Sequence, residues 1–280
     1  MISIIISSYK PIFFDALVEN INDTIGQETS FEIIQISNPG TMGLCEAYNS
    51  GAEKAKFDNL LFIHEDILFQ TNNWGVLLME TLNLPECGVL GVAGNPYYSF
   101  VPASWWNSKY NKTHYIQTFS EDNSVFNHKV NFTLGNEMEE VKALDGVFMA
   151  CKKNVYDEVK FDESIKGYHG YDLIFSLMVA KKYKNYVISN ILINHFSNGT
   201  FSLAWLENIL KVRDRIGIFP NQTMDRTIEV ENFNKLLIDL KKYNYTKIKA
   251  IRIILKYLNP TVLGYKDTFK IINKAKYLFI

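Results

Sequence analysis

The sequence predicts an α/β protein: a doubly wound, mostly parallel sheet flanked by helices, followed by a C-terminal helical extension. Three observations carry this. β-branched apolar runs alternate with helix-period segments from the first residues onward, and the runs are apolar throughout, as strands covered on both faces are. From Leu203 onward only helical periodicity remains. With 280 residues, 47% of them hydrophobic, the chain can bury a large core.

SIIISSY (3–9) is the first strand. FFDALVENINDTI (13–25) spaces Phe14, Leu17, Val18, Ile21 and Ile25 along one helical face. FEIIQIS (31–37) is a second strand closed by the turn Asn38-Pro39-Gly40. LCEAYNSGAEKA (44–55) is helical in composition, and NLLFIHEDI (59–67) is the third strand. This order implies right-handed crossovers. Ligands of such sheets sit beyond the carboxyl ends of the strands, at a switch in strand order, where Ser7, Ser8 and Tyr9, Ser37-Asn38 and His64 to Asp66 all fall.

CGVLGVAG (87–94) reads as a further strand. Residues 95–140 are loop-like and rich in aromatics and Asn, too long for an ordinary connection and therefore a candidate binding loop. VKALDGVFMACKK (141–153) returns to strand character, HGYDLIFSLMVAKKY (169–183) is an amphipathic helix, and NYVISNILINHF (185–196) is a last strand. Helices then follow at 203–217, 233–243 and 248–258, ending in a short tail.

The net charge of -1, from 29 basic and 30 acidic residues, argues against nucleic acid as a partner. The balance is uneven along the chain. Residues 201–280 hold 15 Lys and Arg against 7 Asp and Glu, whereas residues 1–200 hold 14 against 23. Cys45, Cys87 and Cys151 are widely spaced and odd in number, which supports neither a disulfide framework nor a thiolate zinc site and favours a reducing compartment. MISIIISSYKP lacks the basic leader of a signal peptide, and no apolar stretch is long enough to span a membrane.

The chemistry concentrates in FIHEDILF (62–69), an apolar run with His64, Glu65 and Asp66 in its middle. Charged groups are rarely buried unpaired, so a strand ending in acids delivers them to a cation, to solvent or to a reaction. A Walker B strand would need a GxxxxGK[ST] loop, and a dinucleotide fold GxGxxG after the first strand; the chain has neither. A carboxylate holding a divalent cation against a nucleoside diphosphate fits what remains.

In the same order, SIIISSYKP, EAYNSG (46–51), FIHEDILF, LDGVFMACKK (144–153), FDESIKGYHGYDLIFSL (161–177) and NHFSNGT (194–200) resemble the landmarks of family 2 glycosyltransferases of the GT-A fold. The likeness is to the glycosyltransferase-like branch whose third strand ends in His-Glu-Asp instead of Asp-x-Asp. It departs from the family at Ser37-Asn38, where two Asp are usual, and at Tyr171-Asp172, where Glu-Asp is usual.

The resemblance implies an inverting transferase moving a sugar from a nucleotide-diphosphate donor, UDP-linked for preference, to a hydroxyl of a glycan or lipid-linked glycan acceptor. It implies Asp66 and His195 as ligands of Mn²⁺ or Mg²⁺ and Asp172 as the base. Ser7, Ser8, Tyr9, Asn38, Asn49, His64, Glu65 and Asp145 would bind the donor, and Trp105 and Trp106 would stack on the acceptor. Bland alternatives stand beside these roles: His195 as a strand-end histidine, Asp172 as a helix-terminal acid, Asp145 as a turn cap, and loop tryptophans packed under their own segment.

The implied organisation is a catalytic domain over 1–204, with a nucleotide-sugar half to about 94 and an acceptor half beyond it, then a basic helical extension over 205–280. The extension reads either as a lid packed on the catalytic domain or as a peripheral membrane contact. The expected location is cytoplasmic, at the inner membrane face in the second case, in polysaccharide biosynthesis. Two rivals remain. A nucleotidyltransferase lacks its Gly-rich first loop here, and an inactive nucleotide-sugar or glycan-binding domain is motivated by the Ser-Asn and His-Glu-Asp substitutions.

Overall fold

The computed structural model describes residues 1–118, 125–127, 132, 136–197, 199, 201–219 and 222–279. Its first part alternates strand and helix as expected: β1 (Ile2–Ser8), α1 (Pro11–Thr24), β2 (Phe31–Ser37), α2 (Leu44–Lys54) and β3 (Asn59–His64). Ile2, Ile4, Ile5 and Ile6 are fully buried, which is why β1 shows no alternation. Its even residues pack with α1 in one core and Ile5 packs with α2 in the other. Pro11 opens α1, its fixed φ and missing N–H suiting the first helical position.

Beyond β3 the chain runs through β4 (Ile67–Phe69), α3 (Trp74–Leu82), β5 (Cys87–Gly91), β6 (Ala93–Asn95), β7 (Lys112–Thr113), β8 (Ile116–Thr118), β9 (Val125–Asn127), β10 (Met138–Val141), β11 (Ala143–Leu144) and β12 (Phe148–Lys152). Then come α4 (Lys153–Val159), α5 (Tyr171–Val179), β13 (Lys184–Ile188), β14 (Ile193–Phe196), α6 (Leu203–Ile216), α7 (Arg226–Lys242), α8 (Lys247–Tyr257), α9 (Pro260–Leu263) and α10 (Tyr265–Phe279).

The main sheet has seven strands in the order β10-β13-β5-β12-β3-β1-β2. β1 pairs in parallel with both β2 and β3, so strand order reverses at β1 and a crevice opens beyond the carboxyl ends of β1 and β3. β12 runs antiparallel between β3 and β5, and β10 runs antiparallel to β13. Two small sheets, β11-β6-β7 and β4-β14-β8-β9, wall the same end.

Several boundaries differ from the sequence reading. FIHEDILF is not one strand: β3 stops at His64, and Ile67–Phe69 joins a different sheet. NYVISNILINHF likewise divides between the main sheet and the small four-stranded one, and CGVLGVAG divides at Val92. The 95–140 stretch carries β7 to β10, each too short for a periodicity to show. The C-terminal tail contains the 15-residue α10, and α3 and α4 form in segments where the sequence pattern assigns no element.

The C-terminal helices are tied to the rest by buried polar contacts. Glu229 on α7 is fully buried. Its carboxylate accepts the hydroxyls of Tyr97 and, at 2.8 Å, Ser99, and the backbone N–H groups of Phe100 at 2.8 Å and Val101 at 2.9 Å. From α6, Arg213 donates to the Phe100 carbonyl and lies over the rings of Tyr98 and Phe100, 5.3 Å from each centroid. Trp205, Ile209 and Val212 of α6 join the same core as Phe62 and Tyr171. Glu229→Ala strands four buried donors at once. It should lower unfolding free energy by about 3 to 5 kcal/mol, read from urea denaturation with an unchanged slope.

Candidate active site

The site is built at the switch point. Register places Ser7 beside His64 and Ser8 beside Ser37, so the predicted strand-end residues converge. Glu65 lies just beyond β3, and its carboxylate accepts the backbone N–H groups of Tyr9 at 3.0 Å and Lys10 at 2.9 Å. It therefore anchors the entry to α1, whose N-cap residue Lys10 offers no side-chain cap. Asn38 is buried and closes its turn by accepting from Met42 N at 3.2 Å and donating to Met42 O at 3.0 Å. It also donates to Ser7 Oγ at 3.2 Å, while Ser8 Oγ accepts from Gln35 at 3.2 Å. Tyr9 stands exposed at the rim.

Asn49 is not part of this assembly. Its amide donates to Phe161 O and Glu163 at 2.9 Å each, and accepts from Tyr156 Oη at 2.9 Å and Phe161 N at 3.1 Å. These bonds use its full capacity and fasten α2 to the 156–163 segment.

Asp66 occupies the bend between β3 and β4. β14 pairs with β4 so that His195 lies opposite Ile67, and Phe196 N donates to Asp66 O at 2.8 Å. Asp66 Oδ1 is then 3.5 Å from His195 Nε2 and 3.8 Å from His64 Nδ1. One donor atom from each of His64, Asp66 and His195 lies within 4.8 Å of the others. His195 Nε2 is buried with no hydrogen-bond partner, which a cation would supply.

Burial pushes the Asp66 carboxyl up, but the His195 and His64 imidazoles outweigh this and hold it below the usual carboxylate range. Burial lowers the His64 pKa against the opposing pull of Asp66, in the direction of the neutral imidazole, the form that ligates metal. Two imidazole nitrogens and a carboxylate oxygen fit a divalent cation. His64, expected at the donor, thus groups with Asp66 and His195.

Sequence reasoning missed the residues that orient this trio. Tyr171, at the start of α5, places Oη 2.6 Å from His64 Nε2, which leaves Nδ1 facing Asp66. Gly146 permits this approach, since a Cβ there would fall 1.9 Å from Tyr171 Oη. Gln117 on β8 donates to the carbonyls of His195 (3.1 Å) and Ser197. Tyr171 was visible as a departure from the usual Glu, but Gln117 lay in a stretch with no pattern.

A cavity of about 590 Å³ joins His64 and His195 to Asp145, Asp172 and an aromatic wall. Each oxygen of Asp145 has a donor: Oδ2 accepts from Trp105 Nε1 at 3.0 Å and Oδ1 from Val147 N at 2.9 Å. Trp105 is buried holding Asp145, while Trp106 meets Phe201 at 5.6 Å between ring centroids, and Phe201 meets Trp205 at 5.3 Å. Asp172 Oδ2 accepts from Gly146 N at 3.2 Å. Burial, and then the charge of Asp145, push the Asp172 carboxyl up to about 7. In NHFSNGT, Asn198 and Thr200 lie outside the described residues.

A family model described as a glycosyltransferase-like family matches residues 3–199. A structure of GalNAc-T7 with UDP, GalNAc and Mn²⁺ shares the fold at 11% identity and TM-score 0.56, covering 76% of this chain and 48% of that one. Residues 1–349 of S. aureus TarS superpose at 12% identity and TM-score 0.54, over 99% of this chain and 82% of that one. The chain thus spans about half the length of the GalNAc-T7 chain and most of the TarS one, and the likeness shows a shared GT-A fold. No curated protein matches the sequence. If Tyr171 orients a metal-binding His64, Tyr171→Phe should weaken Mn²⁺ binding roughly 10-fold or more, measured by titration calorimetry on the folded variant.

Proposed function

The chain belongs to the glycosyltransferase-like family, and on that premise we propose that it transfers a sugar from a nucleoside-diphosphate donor to a glycan hydroxyl with inversion. The observation that carries this is that His64 and His195, which group with Asp66, line one cavity together with Asp172. Among the described residues lining that cavity there is no Lys or Arg to neutralise a departing diphosphate. A divalent cation held by His64, Asp66 and His195 would, when bound, supply that neutralisation as a Lewis acid. GalNAc-T7 was crystallised with UDP and Mn²⁺, which supports UDP as the nucleotide and Mn²⁺ as the metal.

In this reading Asp172 accepts the proton of the acceptor hydroxyl as that oxygen attacks the anomeric carbon from the face opposite the leaving group. A carboxyl pushed up to about 7 is a stronger base than an exposed aspartate while still ionised near neutrality. The donor occupies the β1, β2 and β3 ends, where Glu65 and Asn38 hold the loops in shape and Ser7, Ser8 and Tyr9 form the near wall. Trp106 and Phe201 offer faces to the acceptor, and Trp105 acts through Asp145. The donor half is residues 1–94 and the acceptor half 95–204, with the extension lending Trp205 to the cavity wall.

Nucleotide release from a panel of UDP-, GDP- and TDP-sugars with Mn²⁺ tests the reading. One donor should be turned over. Asp66→Ala should abolish release, and Asp172→Asn should lower it by about 10² to 10⁴-fold while donor binding persists. Binding without turnover of any donor, across a mixed glycan acceptor pool, would overturn it.

The pH profile gives an independent check. Because the raised Asp172 pKa keeps the base protonated below about 7, kcat/KM should fall roughly tenfold per pH unit on the acid side. Residual activity of Asp172→Asn should lack that limb.

A further inference from the structure

The inward sides of α8 and α10 are accounted for: Ala250, Ile254 and Tyr257 on α8, and Thr268 and Ile271 on α10, are buried. Both helices carry a second apolar stripe facing out. On α8 it comprises Ile248 (66% exposed), Ile251 (38%) and Leu255 (65%), and on α10 it comprises Tyr265 (82%), Phe269 (65%) and Ile272 (43%). The spacings of three, four and seven residues put each set on one helical face. An ordinary surface helix has its single apolar stripe turned inward, so an additional outward one marks a surface made to be covered.

Charge accompanies these stripes. Residues 245–280 hold eight Lys and Arg against the single acid Asp267. Lys256, Lys270 and Lys274 are engaged with Asp214, Asp267 and Asn234. Lys247, Lys249, Arg252, Lys266 and Lys276 form no ion pair with the described residues. No described helix is long and apolar enough to cross a membrane, so the stripes are suited to lying on an apolar phase rather than entering one.

We propose that the outward faces of α8 and α10 dock on an anionic lipid bilayer, apolar side chains among the acyl-chain boundary and lysines at the headgroups. The occupant follows from needing both properties together. An anionic polymer would answer the lysines and leave Leu255 and Phe269 in water. A second copy of this face would cover the apolar groups but oppose one basic surface with another. A bilayer with anionic headgroups satisfies both. This inference does not depend on the catalytic reading, and its test does not use activity.

The experiment is co-sedimentation of the full chain with vesicles of phosphatidylcholine alone or mixed with phosphatidylglycerol. The wild type should pellet with the mixed vesicles at low salt, much less with the neutral ones, and be released at high salt. Lys249→Glu/Lys266→Glu should weaken binding by on the order of fivefold or more per charge changed. Leu255→Ser/Phe269→Ser should weaken it about tenfold or more. All four positions are exposed, and each variant's thermal midpoint should match the wild type. The proposal is overturned if the wild type stays in the supernatant with anionic vesicles at low salt, or binds neutral vesicles equally well. It is also overturned if both variants bind as the wild type does. A dimer in solution that Leu255→Ser/Phe269→Ser converts to monomers would assign the face to a second copy instead.

Discussion

The carboxylate of Glu65 accepts the backbone N–H groups of Tyr9 and Lys10, and those contacts fix where the third strand stops. Charge-assisted bonds to backbone are worth up to about 1.5 to 3 kcal/mol each and less where solvent reaches them, as here, and the pair together favours a bend over two more residues of strand. With the chain turned there, Ile67–Phe69 leaves the main sheet and pairs with β14. That pairing brings His195 to Asp66, although the two are far apart in sequence. One residue of the acid pair thus shapes the backbone and the other is presented to His64 and His195. This is why an apolar run can carry charges at its centre without burying them unpaired.

The same economy governs the two acids deeper in the cavity. Asp145 has a donor for each oxygen, the indole of Trp105 and the amide of Val147. Asp172 sits beside it, accepting from Gly146 N at 3.2 Å and carrying the electrostatic burden of its neighbour. Burial, and then the neighbouring carboxylate, push Asp172 up to about 7, the usual route by which a site obtains a base near neutrality. Trp105 belongs to this arrangement more than to any acceptor platform, because its ring nitrogen is committed and its ring is covered.

The parts legible in the sequence were those written in long, uniform stretches. The strands β1, β2 and β3 and the helices between them follow from apolar runs and helical spacing, and the strand-end rule located Ser7, Asn38, His64 and Asp66 together. Two-residue and three-residue strands such as β7 and β8 have no period to read, so Gln117, which holds the His195 carbonyl, gave no sign. The grouping of His64 with Asp66 and His195 depends on which ring nitrogen Tyr171 engages, a fact of tertiary contact. Asn49 shows the converse: a residue placed at the donor by its motif spends its whole amide joining α2 to the 156–163 segment.

The match to the family ends at residue 199, yet the cavity does not. Trp205 of α6 lines it, and the rings of Trp106, Phe201 and Trp205 form a continuous aromatic chain from the 95–106 segment to that helix. The same segment is held at Tyr97 to Val101 by Glu229 and Arg213. A loop with so little secondary structure of its own would sample many conformations if left alone, and an aromatic wall is of use to a ligand only if its faces stay in place. The C-terminal helices supply that constraint through two buried charged groups, Glu229, bonded to Tyr97, Ser99, Phe100 and Val101, and Arg213, bonded to the Phe100 carbonyl. Whatever covers the outward side of α8 and α10 therefore bears on α10, which packs against α7, the element whose Glu229 fixes the wall, and on α8, which packs against α10.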